Sequence, residues 1–176
     1  MAKYVAFLRG INVGGNKKVP MAKLKSVLEE FGFLNVRTLL ASGNVIFEFK
    51  KESLPLLTKK ISATLEEAFG FTIPVILRDA EEIEKIAESN PFKNIMVTKD
   101  TRLYVTFLSD DPKSKLKIPY HSTDNSFQIL NIKDRAIFSV LDVSKKGTVD
   151  AIAILEKEFG KNITTRNWNT IVKILK

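Results

Sequence analysis

Apolar and polar positions alternate along this chain with two different periods, and the switch between them marks out elements. Tyr4 to Leu8 is apolar at every position, which suits a central strand covered on both faces. A Gly- and Asn-rich stretch follows. Pro20 is then well placed to open a helix in which Met21, Leu24, Val27, Leu28 and Phe31 recur on one face before Gly32 stops it. Val36–Leu40 and Val45–Phe49 are β-rich runs joined by Ala41-Ser42-Gly43-Asn44, a connection of hairpin type. Leu54-Pro55 opens a second helix with Leu57, Ile61, Leu65, Ala68 and Phe69 inward, closed by Gly70, and Thr72–Leu77 returns as a strand. The order β-α-β-β-α-β over residues 1–78 predicts an α+β protein whose N-terminal half is ferredoxin-like.

The remainder, residues 79–176, predicts a second, smaller α+β half with about three strands and three helices, ending in an amphipathic helix. Asp79 and Glu82 have capping-box spacing ahead of Ile83, Ile86 and Ala87. Leu103–Leu108, Phe127–Leu130 and Ala136–Leu141 read as strands, and the polar stretch Ser109–Asn125, with Pro112, Pro119 and His121, is long enough to be a flap. Thr148–Phe159 reads as a helix, and a last helix is expected after Thr165, with Trp168, Ile171, Val172 and Leu175 on one face.

Topology brings two bends together. A right-handed crossover through the first helix sets the first and second strands running the same way, so the loop Gly10–Val19 and the turn Ser42-Gly43-Asn44 fall at one end of the sheet. That loop lies between a buried strand and a helix, where Gly-rich segments present backbone N–H groups to phosphate. Gly10, Asn12, Gly14, Gly15, Asn16, Lys17 and Lys18 are therefore candidate ligand contacts, with Arg9 beside them. The segment matches neither common phosphate signature: Asn16 separates Gly15 from Lys17 and no Ser or Thr follows, and Asn12 stands where G-x-G-x-x-G needs glycine. The alternative is that its glycines only permit a tight turn and its lysines are solvated. Ser42, Gly43 and Asn44 also make sense as turn residues alone, but beside the first loop Ser42 and Asn44 would add neutral hydrogen-bonding groups. Arg166 and Asn167, after Thr164 and Thr165, would sit at the start of the last helix, where an anion is favoured. Trp168 falls on the apolar stripe and reads as core rather than as a stacking platform.

Charge sharpens this picture. The net charge is +8, and residues 1–78 hold 12 Lys and Arg against 6 Asp and Glu, with no acidic residue before Glu29. The field of that segment attracts phosphates or acidic partners. The 0 Cys exclude disulfides, thiolate metal sites and cysteine nucleophiles and point to a reducing compartment, the cytoplasm; the single His121 excludes a His-rich metal site. No apolar stretch approaches the length of a membrane span, and no membrane partner is expected. Asp110, Asp111, Asp124, Asp134 and Asp142 show no general acid–base spacing.

Three strings, FLRGINVGGNKKVPM (Phe7–Met21), GFLNVRTLLASGNVIF (Gly32–Phe47) and TTRNWNTIVKIL (Thr164–Leu175), together resemble the bacterial domain-of-unknown-function family 1697. The resemblance implies an α+β protein with a ferredoxin-like first portion and singles out Arg9, Gly10, Asn12, Gly14, Gly15, Ser42, Gly43, Asn44, Arg166, Asn167 and Trp168, without assigning a reaction. The leading expectation is a cytoplasmic protein that binds an anionic, phosphate-bearing small molecule or nucleic acid at the Gly-rich loop. An enzyme acting on a phosphorylated or nucleotide substrate and a protein-interaction module using the basic face are the alternatives. Cofactor, metal and oligomeric state find no signal in the sequence.

Overall fold

In a computed structural model, residues 1–145 and 149–176 are described, and they form two compact units, Met1–Lys85 and Ile86–Lys176. The first holds β1 (Ala2–Leu8), α1 (Met21–Glu30), β2 (Leu34–Leu39), β3 (Asn44–Phe49), α2 (Leu54–Phe69) and β4 (Val75–Asp79). Its sheet runs β2-β3-β1-β4 with every neighbour antiparallel, which is the ferredoxin-like arrangement expected. Tyr4 to Leu8 are buried at every position, as their unbroken apolar run requires. Leu24 and Leu28 of α1 and Leu57, Ile61 and Leu65 of α2 bring the helical stripes onto one face of the sheet, against Tyr4, Ala6, Leu8, Val45, Phe47 and Leu77. Phe33 stacks on Phe47 at 4.3 Å between ring centroids and carries the packing out to Phe31, which is 37% exposed at the α1 terminus rather than inward.

The break between the units falls inside α3 (Ala80–Ser89). Glu82 there lies 3.9 Å from the guanidinium of the buried Arg78.

The second unit departs further from expectation. Its sheet has five strands rather than about three, ordered β6-β7-β8-β5-β9, and is not the smaller of the two: β5 (Thr101–Leu108), β6 (Tyr120–His121), β7 (Phe127–Lys133), β8 (Ala136–Asp142) and β9 (Ile163–Asn167). Helix α4 (Ala151–Phe159) is capped by the Asp150 carboxylate, which accepts from the Ala153 N–H at 3.0 Å; Thr148, expected to begin it, lies outside the described residues. The final helix α5 (Trp168–Ile174) starts after Thr164-Thr165-Arg166-Asn167, which are strand. The reason is pairing: Ile163–Asn167 lies antiparallel along Leu108–Tyr104, and the Thr106 and Thr165 hydroxyls meet at 2.8 Å across the two strands. Nor is Ser109–Asn125 a free flap. Leu116, Ile118 and Tyr120 pack on the core formed by Phe127, Ile129, Ile137 and Leu155, and Tyr120-His121 pairs with β7.

Candidate functional site

The two bends meet. Gly43 closes onto β1, its carbonyl accepting from the Leu8 N–H at 2.8 Å, and a Cβ at Gly43 would stand 2.7 Å from Ile11 Cδ1 and 2.8 Å from Leu8 Cβ. With φ at +79° as well, that position strongly favours glycine. The space between turn and loop is thus filled by Ile11 and Leu8, and no cleft separates them there.

Beyond Ile11 the chain turns outward into a short hairpin. Val13 and Asn16 form an antiparallel bridge, the Asn16 N–H donates to the Val13 carbonyl at 3.1 Å, and the Asn12 N–H donates to the Lys17 carbonyl at 3.1 Å. Gly14 (φ +60°) and Gly15 (φ +76°) occupy the two central positions, the positive-φ pair that a type I′ turn demands. Every residue from Asn12 to Lys18 is exposed, and Val13 is 69% exposed. The Gly-rich loop is therefore a projecting finger, not a cradle wrapped around a phosphate.

Asn12 fixes the finger's base. Its side-chain amide donates to the Val19 carbonyl at 3.0 Å and the Ala41 carbonyl at 2.8 Å, and its Oδ1 accepts from the Val19 N–H at 2.8 Å. One side chain thus ties both arms' root to the β2–β3 turn. Asn44 has an equivalent task inside that turn: fully buried, it donates to the Leu39 carbonyl at 2.8 Å and the Ser42 hydroxyl at 3.1 Å. The amide groups of Asn12 and Asn44, expected to face a ligand, are instead committed to the protein, because an amide can satisfy stranded backbone groups of a sharp bend. Asn12 (φ +56°), Lys17 (φ +48°) and Leu40 (φ +61°) are left-handed without being glycine.

The outer surface of this end carries Asn16, Lys17 and Lys18, all exposed on the finger, with Ser42 exposed on the turn and Arg9 half-buried. Arg166 and Asn167 lie in the second unit. Arg166 is 8% exposed and donates to the Thr164 hydroxyl at 2.7 Å and the Thr165 carbonyl at 3.0 Å; burial pulls its pKa down to about 10, so it stays charged at neutral pH. A helix start was the expected setting for this pair; Asn167 is indeed the N-cap of α5, with no side-chain capping bond, whereas Arg166 lies within β9, and α5 is only 7 residues long. Trp168 is partly buried, its ring edge-on to Phe92 at 5.2 Å, as core packing predicts. His121 is exposed on β6, and among the described residues no group of three or more His, Cys, Asp or Glu is arranged to hold a metal ion. Asp124 accepts from the Ser122 and Ser126 hydroxyls at 2.7 and 2.8 Å, which hold its pKa down at about 2 and close a loop rather than build a reactive centre.

Sequence reasoning overlooked Arg78, 2% exposed in β4, whose guanidinium donates to the Leu77 carbonyl at 2.9 Å. Its position directly after the apolar run Val75-Ile76-Leu77 of the same strand was the available signal.

The first unit is accordingly a ferredoxin-like domain carrying a braced basic finger at one end of its sheet, and the chain as a whole is a two-unit α+β protein. The chain belongs to the family described as protein of unknown function DUF1697, matched over residues 1–138. It is similar in fold to a conserved bacterial protein of Streptococcus pneumoniae, SP0830, with a TM-score of 0.67 and 22% identity, over 98% of this chain and 96% of that one. No curated protein matches the chain. Among the described residues no helix is long and apolar enough to cross a membrane.

Proposed function

We propose that this protein binds nucleic acid through the finger end of its first unit, and that it does so in the cytoplasm, the reducing setting that a chain with 0 Cys suits. The observation that carries the reading is the finger's shape: a rigidly based, exposed hairpin with Lys17 and Lys18 at its root. Small molecules favour concave sites that bury most of their surface, whereas a convex basic projection suits a polymer whose phosphates flank it on either side. A catalytic role gains no support at this end, since residues 9–19 and 40–44 contain no Asp, Glu, His, Cys or Tyr to move a proton. A protein-docking role has one observation in its favour, the exposed Val13 and Leu40.

Fluorescence anisotropy with labelled oligonucleotides at about 50 and about 200 mM salt tests the proposal. Binding should weaken steeply with salt, and Lys17→Glu with Lys18→Glu should cost about tenfold or more in affinity while leaving the fold intact. Oligonucleotides that fail to bind at low salt would transfer the weight to protein docking.

A further inference from the structure

Val13 and Asn16 face each other directly across the finger, and directly opposed residues of an antiparallel pair project from the same face. Both are exposed, so one face of the hairpin offers an isopropyl group and a carboxamide side by side. That combination matches one target. In the major groove an A·T pair displays adenine N7 and N6–H₂, which an Asn carboxamide engages bidentately, next to the thymine C5 methyl, which takes an apolar contact.

The dimensions agree. Above the Asn12–Lys17 base, one paired residue per arm at about 3.3 Å plus the turn project roughly 6–7 Å, within a major groove about 8.5 Å deep and about 12 Å wide that admits a two-stranded ribbon. The minor groove, about 6 Å wide, is too narrow for a ribbon with side chains, and the A-form major groove of duplex RNA is deep and inaccessible. The glycines that the turn's positive φ requires also leave the tip slim. A Cβ at Gly43 would strike Ile11 and Leu8, but at Gly14 and Gly15 it would meet nothing within 4 Å, so the room those glycines leave faces outward. Glycine there permits close backbone approach to a ligand in addition to the positive φ. Lys17 and Lys18 follow at the root, both exposed.

We infer that the finger enters the major groove of double-stranded DNA and that the Val13/Asn16 face reads an A·T base pair. The inference rests on the nucleic-acid reading above and adds the form of the nucleic acid and the residues that discriminate sequence.

The test compares A·T and G·C duplexes, single strands of the same sequences, and A·T duplexes with uracil replacing thymine, against wild type, Asn16→Ala and Val13→Ala. Both substitutions are at exposed positions, and unchanged melting temperatures check that the variants remain folded. Wild type should prefer the A·T duplex over the G·C duplex by about tenfold. Asn16→Ala should reduce that preference to the part the thymine methyl supplies while keeping the affinity for G·C duplex. Removing the thymine methyl should weaken wild type and leave Val13→Ala unaffected. Equal binding to every duplex and single strand, or a preference that both variants retain in full, overturns groove reading while nucleic-acid binding stands. Failure to bind any oligonucleotide overturns both.

Discussion

Glycine and asparagine carry most of the meaning at single positions, and the same residue type means different things a few residues apart. Gly43 is required by the protein itself: left-handed, and with protein atoms where a Cβ would go. Gly14 is left-handed in open space. An alanine at Gly14 therefore meets only the backbone penalty of about 1 kcal/mol, whereas at Gly43 it adds a collision with Leu8 and Ile11, for about 2–4 kcal/mol in total. Thermal unfolding should separate them, with Gly14→Ala lowering Tm by about 2–4 °C and Gly43→Ala by at least about 5 °C. Equal losses would mean that the turn and the loop can move apart at no cost. The sequence singled out both glycines but could not sort them, since what fills the space beside Gly43 comes from Ile11, a long way along the chain. The same blindness applied to Asn12 and Asn44. An amide in a bend can serve a ligand or a stranded carbonyl, and only the positions of Val19, Ala41 and Leu39 decide which.

Among elements, those with a long repeating pattern were legible and those defined by distant pairing were not. The apolar stripes of α1 and α2 and the β-rich runs around the Ala41–Asn44 turn contain their own explanation, and the ferredoxin-like order followed from them. β9 does not: Ile163-Thr164-Thr165 is β-branched, a strand signal, but its hydroxyls and Asn167 also resemble a helix cap, and what decides is the register against β5. β6, two residues long, has no pattern to read at all. The finger is intermediate, since the Gly-Gly turn was visible whereas its bracing was not. That bracing makes a prediction at this scale. Asn12→Ala removes three hydrogen bonds made by an exposed residue, and the root should loosen by about 1 kcal/mol, seen as faster amide exchange at Val19 with the rest of the unit unchanged. Asn12→Asp should be worse than Asn12→Ala, because a carboxylate can still accept from the Val19 N–H but sets its charge against the Val19 and Ala41 carbonyl oxygens. An aspartate that protects the root as well as asparagine would show that the two donated bonds do not hold it.

For the whole molecule the question is whether affinity for a polyanion comes from the finger or merely from a net charge of +8. Both produce salt-sensitive binding, so sensitivity alone decides nothing, and the comparison must hold total charge fixed. Lys115 and Lys117, exposed in the second unit on the strand-connecting segment ahead of β6, provide the control. Reversing them to glutamate changes the charge by the same amount as reversing Lys17 and Lys18. Each phosphate contact contributes about 0.7–0.9 to the slope of log affinity against log salt concentration, so loss of two specific contacts should flatten the slope by about 1.5. Lys17→Glu with Lys18→Glu should show that flattening. Lys115→Glu with Lys117→Glu should weaken binding through the overall field but flatten the slope by less, because in the proposed mode these lysines make no phosphate contact and release no counterions. Identical slopes for the two double variants would place the binding in the protein's general basicity, and the finger would then have no privileged part in it.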